Sequence, residues 1–417
     1  MFARNDNCLK KIRTRCFCCM LAFLLLIMTI VGCRKEVQPE GLTNYTGKSY
    51  SEVIEAYWNG MNANYVFWDI DTVAWNNKYK TYKPLFESLD RQQRDSTTEA
   101  KAVQYIVYMS KDLVDGHMTL YFHDTVTYMV GGHEFRSRGF NPSSVRHQLR
   151  EDRAAIPRKV FDTIIYNNYL TNAEHGTARI EDENIDFRLN LGIILRNNKK
   201  ILYLEFPYFF LTALYNDPTT FPSVKPVLDH YFRYTKDPSI DGLIIDLRGN
   251  GGGEPDLDLL LGSLITEPVN FAYSRHKNGG GRLDYTPWVK NYCVHPYSGS
   301  TKFTKPIAVL VDGNSISMAE ITSMAAKAIF PKAKLVGERT YGANGPVFPD
   351  DLYTLGGQFE VANMMHVYIA AVETKDNNMI NHEGIGLTPD IHIAYDITAI
   401  KNNIDVQLDK AIEYVTQ

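Results

Sequence analysis

The stretch from 306 to 330 constrains the fold more than any other. Pro306-Ile-Ala-Val-Leu-Val311 is an apolar strand. Asp312-Gly-Asn-Ser-Ile-Ser317 follows as a small-residue turn, and Ile321, Met324, Ala325, Ala328 and Ile329 then recur at helical spacing. A strand that runs through a tight turn into a helix suits a nucleophile: the turn presents a hydroxyl, and the helix start offers free N–H groups to a developing oxyanion. The same layout suits plain capping, the commoner use of serine at a helix start, so Ser315 and Ser317 both stand open as caps on shape alone.

Strand–helix alternation after residue 200 predicts an α/β core. Phe187 to Leu195 and Ile201 to Phe206 read as a hairpin, Val227 to Tyr234 as a helix, and Asp241 to Asp246 as a buried strand leading into Gly249-Asn-Gly-Gly-Gly253. Before the core, Ser49-Tyr-Ser-Glu52 and Ser96-Thr-Thr-Glu99 have the form of capping boxes, and Asp71 offers a third cap. The aromatic-rich helices they open predict a small N-terminal bundle over 49–116. Asp115-Gly116 is read as the stop of its third helix, with His117 on the turn into the strand-like Met118-Thr-Leu-Tyr-Phe122. Residues 117–417 are assigned to the α/β core, with 123–185 an irregular insertion inside it and 272–305 a long loop.

The first residues have a different character. Arg4, Lys10, Lys11, Arg13 and Arg15 precede an uncharged run from Cys16 to Gly32. A basic start, a short apolar run and small residues at its end read as a secretory signal over 1–32, with 33–48 as a linker. Without those residues the net charge is about −8 (39 basic minus 47 acidic), which argues against nucleic acid as a partner. Four of the six cysteines fall in the signal and Cys33 opens the linker, so Cys293 alone remains in the folded part and no disulfide framework is expected.

The glycine-rich turn does not carry a nucleotide signature. Gly249-Asn-Gly-Gly-Gly-Glu254 lacks the last glycine of a dinucleotide fingerprint, and no Gly-Lys-Ser/Thr follows it. The histidines are scattered and no His-Glu-x-x-His occurs, so neither a metal nor an organic cofactor is expected. Such a turn still brings backbone N–H groups close to a substrate oxygen.

Four motifs in order then point to one family: Ile245-Asp-Leu-Arg-Gly-Asn-Gly-Gly-Gly253, Ser315-Ile-Ser-Met-Ala-Glu320, Val336-Gly-Glu-Arg-Thr-Tyr-Gly342 and Glu383-Gly-Ile-Gly-Leu-Thr-Pro-Asp390. Together they resemble the tail-specific, or C-terminal-processing, serine peptidases, a family that includes tricorn-type enzymes. The resemblance covers about 199–395 and implies stacked ββα units similar to the crotonase and Clp-protease folds. It places the nucleophile at Ser317 and the oxyanion hole at the N–H of Met318 and a glycine of the turn, Gly251 or Gly252. Glu320 is implied as a support of the nucleophile turn. The processing branch draws its base from a lysine at the position of Ala343, which closes that route here. The tricorn-like branch uses a histidine matching His117, completed by an acid matching Glu383, although Gly116 stands where that branch has a serine. No PDZ module is recognisable between His117 and the core. Ile-Val-Gly-Cys33 resembles a bacterial lipobox, which implies a lipid anchor at Cys33 and a place in the cell envelope, at the outer membrane. The expected function is hydrolysis of peptides or unfolded protein segments. The alternative is a non-catalytic lipoprotein that binds a peptide or apolar ligand on the same fold, as the retinoid-binding relatives do.

Overall fold

The computed structural model describes residues 43–45, 48–148, 158–181, 184–347, 356–361 and 364–417. The proposed signal, Cys33 and most of the linker lie outside the described residues. Residues 42–417 form one compact unit.

The N-terminal layer opens with β1 (Thr43–Tyr45) and helices α1 (Tyr50–Asn64), α2 (Trp75–Asp90) and α3 (Ser96–Ser110). Ser49 and Glu52 do form a reciprocal capping box on α1. On α3 the cap is Asp95, not Ser96: its carboxylate accepts from the N–H groups of Thr97 and Thr98. Asp71 caps no helix, because α2 starts only at Trp75; its carboxylate takes the N–H of Val73 and Val114 instead. Helix α3 stops at Ser110, short of the glycine expected to end it. Two strands follow, β2 (Thr119–Val130) and β3 (His133–Phe140), and then helices α4 (Pro142–Gln148) and α5 (Arg158–Asn168). The stretch expected to be an irregular insertion is therefore largely regular.

The core chain continues as β4 (Leu170–Ile180), β5 (Ile185–Arg196), β6 (Lys199–Glu205), α6 (Leu211–Asn216), α7 (Val224–Tyr234), β7 (Gly242–Asp246), α8 (Leu257–Leu260), β8 (Val269–His276) and β9 (Val289–Val294). Strands β8 and β9 pair antiparallel, so the long loop expected over 272–305 contains a hairpin. Next come β10 (Ile307–Val311), α9 (Met318–Ile329), β11 (Ala333–Gly337), β12 (Phe359–Val361), β13 (Met365–Tyr368), β14 (Val372–Lys375), β15 (Ile391–His392), α10 (Ile397–Lys401) and α11 (Val406–Val415).

The central sheet has the order β15-β11-β10-β7-β6-β5-β4 among the described residues, parallel from β15 to β6 and antiparallel beyond. Every residue of β7 and β10 is buried, as strands covered on both faces require. Alternate residues serve opposite faces: Leu243, Ile245, Val309 and Leu335 pack with α7, α8 and α9, whereas Ile244, Ala308, Leu310 and Val336 pack with α5 and α11. A second sheet, β1-β12-β13-β2-β3, packs with α1 and α3 around an aromatic core. Strands β12 and β13 come from late in the chain, so the N-terminal layer is not sequence-local: Phe359 and Met365 are among its fully buried residues.

Candidate active site

The turns after β7, β10 and β11 all emerge at the C-terminal edge of the parallel strands, where open α/β sheets form their binding crevices. Two of these turns are stitched together. Asp312 accepts the N–H of Gly249 through Oδ1 and the phenol of Tyr395 through Oδ2. Ser315 Oγ donates to Leu247 O at 2.7 Å and accepts the Asp312 N–H, and Ile316 N–H reaches Asn250 O. Ser315 is thus wholly engaged in the fold, while Ser317 is half-buried and makes no capping bond.

Ser317 stands at the N-terminus of α9 with φ 56° and ψ −114°. A side chain held at positive φ costs roughly 1–3 kcal/mol and persists only where the surroundings impose it. Gly252 lies directly against it: a Cβ there would come within 2.7 Å of Ser317 Cβ and 3.1 Å of Met318 N. Only glycine allows the two turns to approach this closely.

The N–H groups of this turn are unequal. Gly251 N–H donates to Pro207 O and Gly252 N–H donates to Asn250 Oδ1, so both are committed within the protein. Among the described residues Met318 N–H and Gly253 N–H have no acceptor. Of the expected donors, Met318 is therefore free, and Gly253 rather than Gly251 or Gly252 is the free glycine.

Behind Ser317 sits Glu320, fully buried at the first turn of α9. Its Oε1 accepts from Thr340 Oγ1 and Gly342 N–H, and its Oε2 from Ala343 N–H. Glu383 takes the next two amides, Asn344 and Gly345, on Oε2 and the N–H of Gly116 on Oε1. Two carboxylates thus hold four consecutive backbone N–H groups of the loop after β11. Burial raises the pKa of both, that of Glu383 strongly, with Asp115 adding to the shift.

His117 arrives from the N-terminal layer. Asp115 fixes its turn, accepting the N–H of His117 and Met118 on Oδ1 and of Ala370 on Oδ2. Burial pushes the Asp115 carboxyl up to about 6 and the His117 imidazole down to about 4. The Nδ1 atom of His117 is buried without a partner, and no hydrogen bond joins the ring to Ser317 or to Glu383. One ligand atom each from Asp115, His117 and Glu383 lies within 4.8 Å of the others. All the carboxylate oxygens of this trio already accept backbone N–H groups, which marks them as anchors of the two loops and assigns no metal.

Gly116 and Ala343 explain each other. A Cβ on Gly116 would sit 2.4 Å from Ala343 Cβ and 2.5 Å from Gly342 O. The absence of a side chain at 116 lets the histidine turn press onto the fully buried Ala343. Arg248 had no assigned role in the motif reading. It is 1% exposed and joins Asp246, Asp405 and Gln407, clamping the start of the glycine turn to α11. Asp405 also caps α11, so one carboxylate holds two elements.

Residues 200–393 match the family model of Peptidase family S41. This stretch is an S41 peptidase domain. The tail-specific peptidases of the motif resemblance belong to that family. The fold agrees with the crystal structure of a candidate peptidase from Parabacteroides merdae, at 21% identity and TM-score 0.63 over 89% of this chain and 98% of that one. It agrees also with mature CPAF, at 12% identity and TM-score 0.54 over 88% of this chain and 95% of that one. The nisin-resistance protein of Lactococcus lactis is 28% identical over 162 residues, 36% of this chain and 46% of that protein. The chain therefore matches about half the length of that curated relative.

Proposed function

We propose that this chain is a serine-type peptidase that hydrolyses peptides or unfolded protein segments at the cell envelope. The observation that carries the reading is the placement of Ser317: a half-buried, uncapped hydroxyl on a strained helix-start turn, pressed against Gly252, with the free N–H of Met318 beside it. In this mechanism His117 accepts the Ser317 proton as Oγ attacks the peptide carbonyl. The C–N bond breaks, the protonated imidazole returns its proton to the leaving amine, and water releases the acyl group by the reverse sequence. The N–H groups of Met318 and Gly253 hold the tetrahedral oxyanion. Glu383, through Gly116, and Asp115 position the His117 turn rather than bonding its ring. Hydrogen bonds of this kind often close only when substrate is bound. A lipid on Cys33 would tether the enzyme to the outer membrane. No described helix is long and apolar enough to cross a membrane.

A second reading has its own support: His117 and Ser317 are not hydrogen-bonded, as in a site that binds without cleaving. A fluorophosphonate probe decides between them. The enzyme reading expects labelling of the wild type, loss of it in Ser317→Ala and His117→Ala, and parallel loss of casein cleavage. A folded wild type that neither labels nor cleaves would leave the non-catalytic peptide- or ligand-binding lipoprotein.

A further inference from the structure

The parallel strands that carry the Ser317 turn at one edge of the central sheet begin at the other edge, and a crevice is built there. Strand β10 runs from Ile307 to Val311, and α9 returns from Met318 to Ile329. The crevice and Ser317 therefore sit at opposite ends of the same strand and helix, roughly 17 Å apart. Three segments form its walls: 264–269 leading into β8, 302–305 leading into β10, and 329–332 between α9 and β11. Backbone bonds fasten these walls. Phe303 N–H donates to Leu264 O at 2.9 Å, Thr301 N–H to Ser263 O at 3.0 Å, and Ile307 N–H to Lys332 O at 3.0 Å.

The crevice holds about 420 Å³, within the range of small-molecule sites. Its lining divides by chemistry. Leu264, Ile265, Phe303 and Phe330 are buried, and Val269 and Ile329 are half-buried. Around them stand three exposed lysines, Lys302, Lys305 and Lys332, with Glu267 the one acid of the lining. Among the described residues none of the three lysines is in an ion pair. Lys305 lies within electrostatic reach of Asp241, but that carboxylate is already paired with Lys199 at 3.0 Å. Three cations against one acid is the reverse of the whole chain, whose net charge is −4. An apolar trough takes a hydrocarbon tail out of water. Lysine stems extend such a trough while their ammonium groups stay in the water at its rim, where they attract an anionic head. A neutral apolar ligand would leave that rim unused, and a cationic one would be repelled.

We propose that this crevice binds a single-tailed anionic amphiphile, with its hydrocarbon tail in the trough and a carboxylate or phosphate head on Lys302, Lys305 and Lys332. The site is separate from the Ser317 turn and does not rest on the peptidase reading.

Calorimetric titration of the full chain tests it. The probes are decanoate, decyl phosphate and decyltrimethylammonium, each below its micelle concentration, with butyrate as the short-tailed control. Both ten-carbon anions should bind at least about tenfold tighter than the cation, and butyrate at least about a hundredfold weaker than decanoate. Lys302→Glu, Lys305→Glu and Lys332→Glu combined, checked for an unchanged melting transition, should weaken both anions at least about tenfold. That difference reads this crevice alone, because binding elsewhere in the chain cancels. Lys302→Gln with Lys332→Gln, a milder change, should give a smaller loss in the same direction. Tighter binding of decyl phosphate than of decanoate assigns the head to a phospholipid, and the reverse to a free fatty acid; either supports the site. Equal affinity for anionic and cationic probes, or lysine variants that bind decanoate as the wild type does, overturns it. Saturating decanoate should leave fluorophosphonate labelling of Ser317 unchanged, and competitive loss of labelling would move the amphiphile to the Ser317 turn and overturn the proposal. Lysine-dependent binding in a chain whose Ser317 never labels supports the crevice and overturns the peptidase reading alone.

Discussion

The turn that carries Ser317 and the turn that carries His117 are held in opposite ways. The serine turn is the direct continuation of a fully buried strand, fastened to its neighbours in the same sheet by Asp312 and Ser315. The histidine turn has no strand behind it. It hangs on bonds from Asp115 to Ala370 and from Gly116 to Glu383, which join residues 255 and 267 positions apart. One geometry follows from local chain direction and sheet packing. The other depends on a distant carboxylate, Glu383, and a distant amide, that of Ala370. The Ser317 turn should therefore be robust to distant substitution, and the His117 turn fragile.

The largest effect tests the serine side. Ser317→Ala should lower peptide turnover by about 10⁴-fold or more with the fold intact; residual activity within tenfold of wild type would remove Ser317 from the chemistry. Arg248→Met attacks the anchoring of the glycine turn by leaving Asp246 and Asp405 buried without their cation. It should cost about 3–5 kcal/mol in urea unfolding, and a loss below 1 kcal/mol would mean that the clamp is dispensable. On the histidine side, Glu383→Ala strips the acceptor from Gly116, Asn344 and Gly345. About 3 kcal/mol should be lost, with Glu383→Gln losing less; equal stability of all three proteins would sink the anchoring role. Gly116→Ala drives a methyl group into Ala343 and should cost about 1–3 kcal/mol, read from the shift in unfolding midpoint.

The subtlest effect is in pH. With its pKa lowered to about 4, His117 stays the free base well below the usual imidazole range. The unfolded state takes up that proton first, so the stability this group contributes is present above about pH 6.5 and is lost as pH falls towards 4. Asp115, raised to about 6, has the opposite sign: the folded state holds its proton, and stability from that group falls as pH rises from about 4 to 6. The acid limb of kcat/KM should have its midpoint below about pH 5. A midpoint near 6.5 would place the imidazole in a solvated, unburied site.

The same contrast decided what could be read from the sequence. The strand, turn and helix around Ser317 are consecutive in the chain, and their hydrophobic spacing marked them without help. His117 stood out only through resemblance, because nothing near it in sequence reports contacts more than 250 residues away. Asp115 was read as a helix stop, although a carboxylate two residues before the histidine was the signal for its role. Gly251 and Gly252 were natural choices as oxyanion donors. Their N–H groups turn out to be spent on Pro207 O and the Asn250 side chain, a fact about neighbours that spacing does not encode. The stretch after His123 looked irregular because β2 and β3 expose charged residues along one face. Its Gly131-Gly132 pair, both at positive φ, is a hairpin turn signal that was visible.

The loop of residues 342–345 is gripped chiefly by its backbone, with one side-chain bond from Thr374 Oγ1 to Asn344 Oδ1. Glu320 and Glu383 take those four amides through main-chain N–H groups alone. Position in this site is thus separate from chemical identity. A larger side chain at 343 would therefore have to be met by a change at 116, the residue it touches, while the frame of bonded amides around the pair stays put.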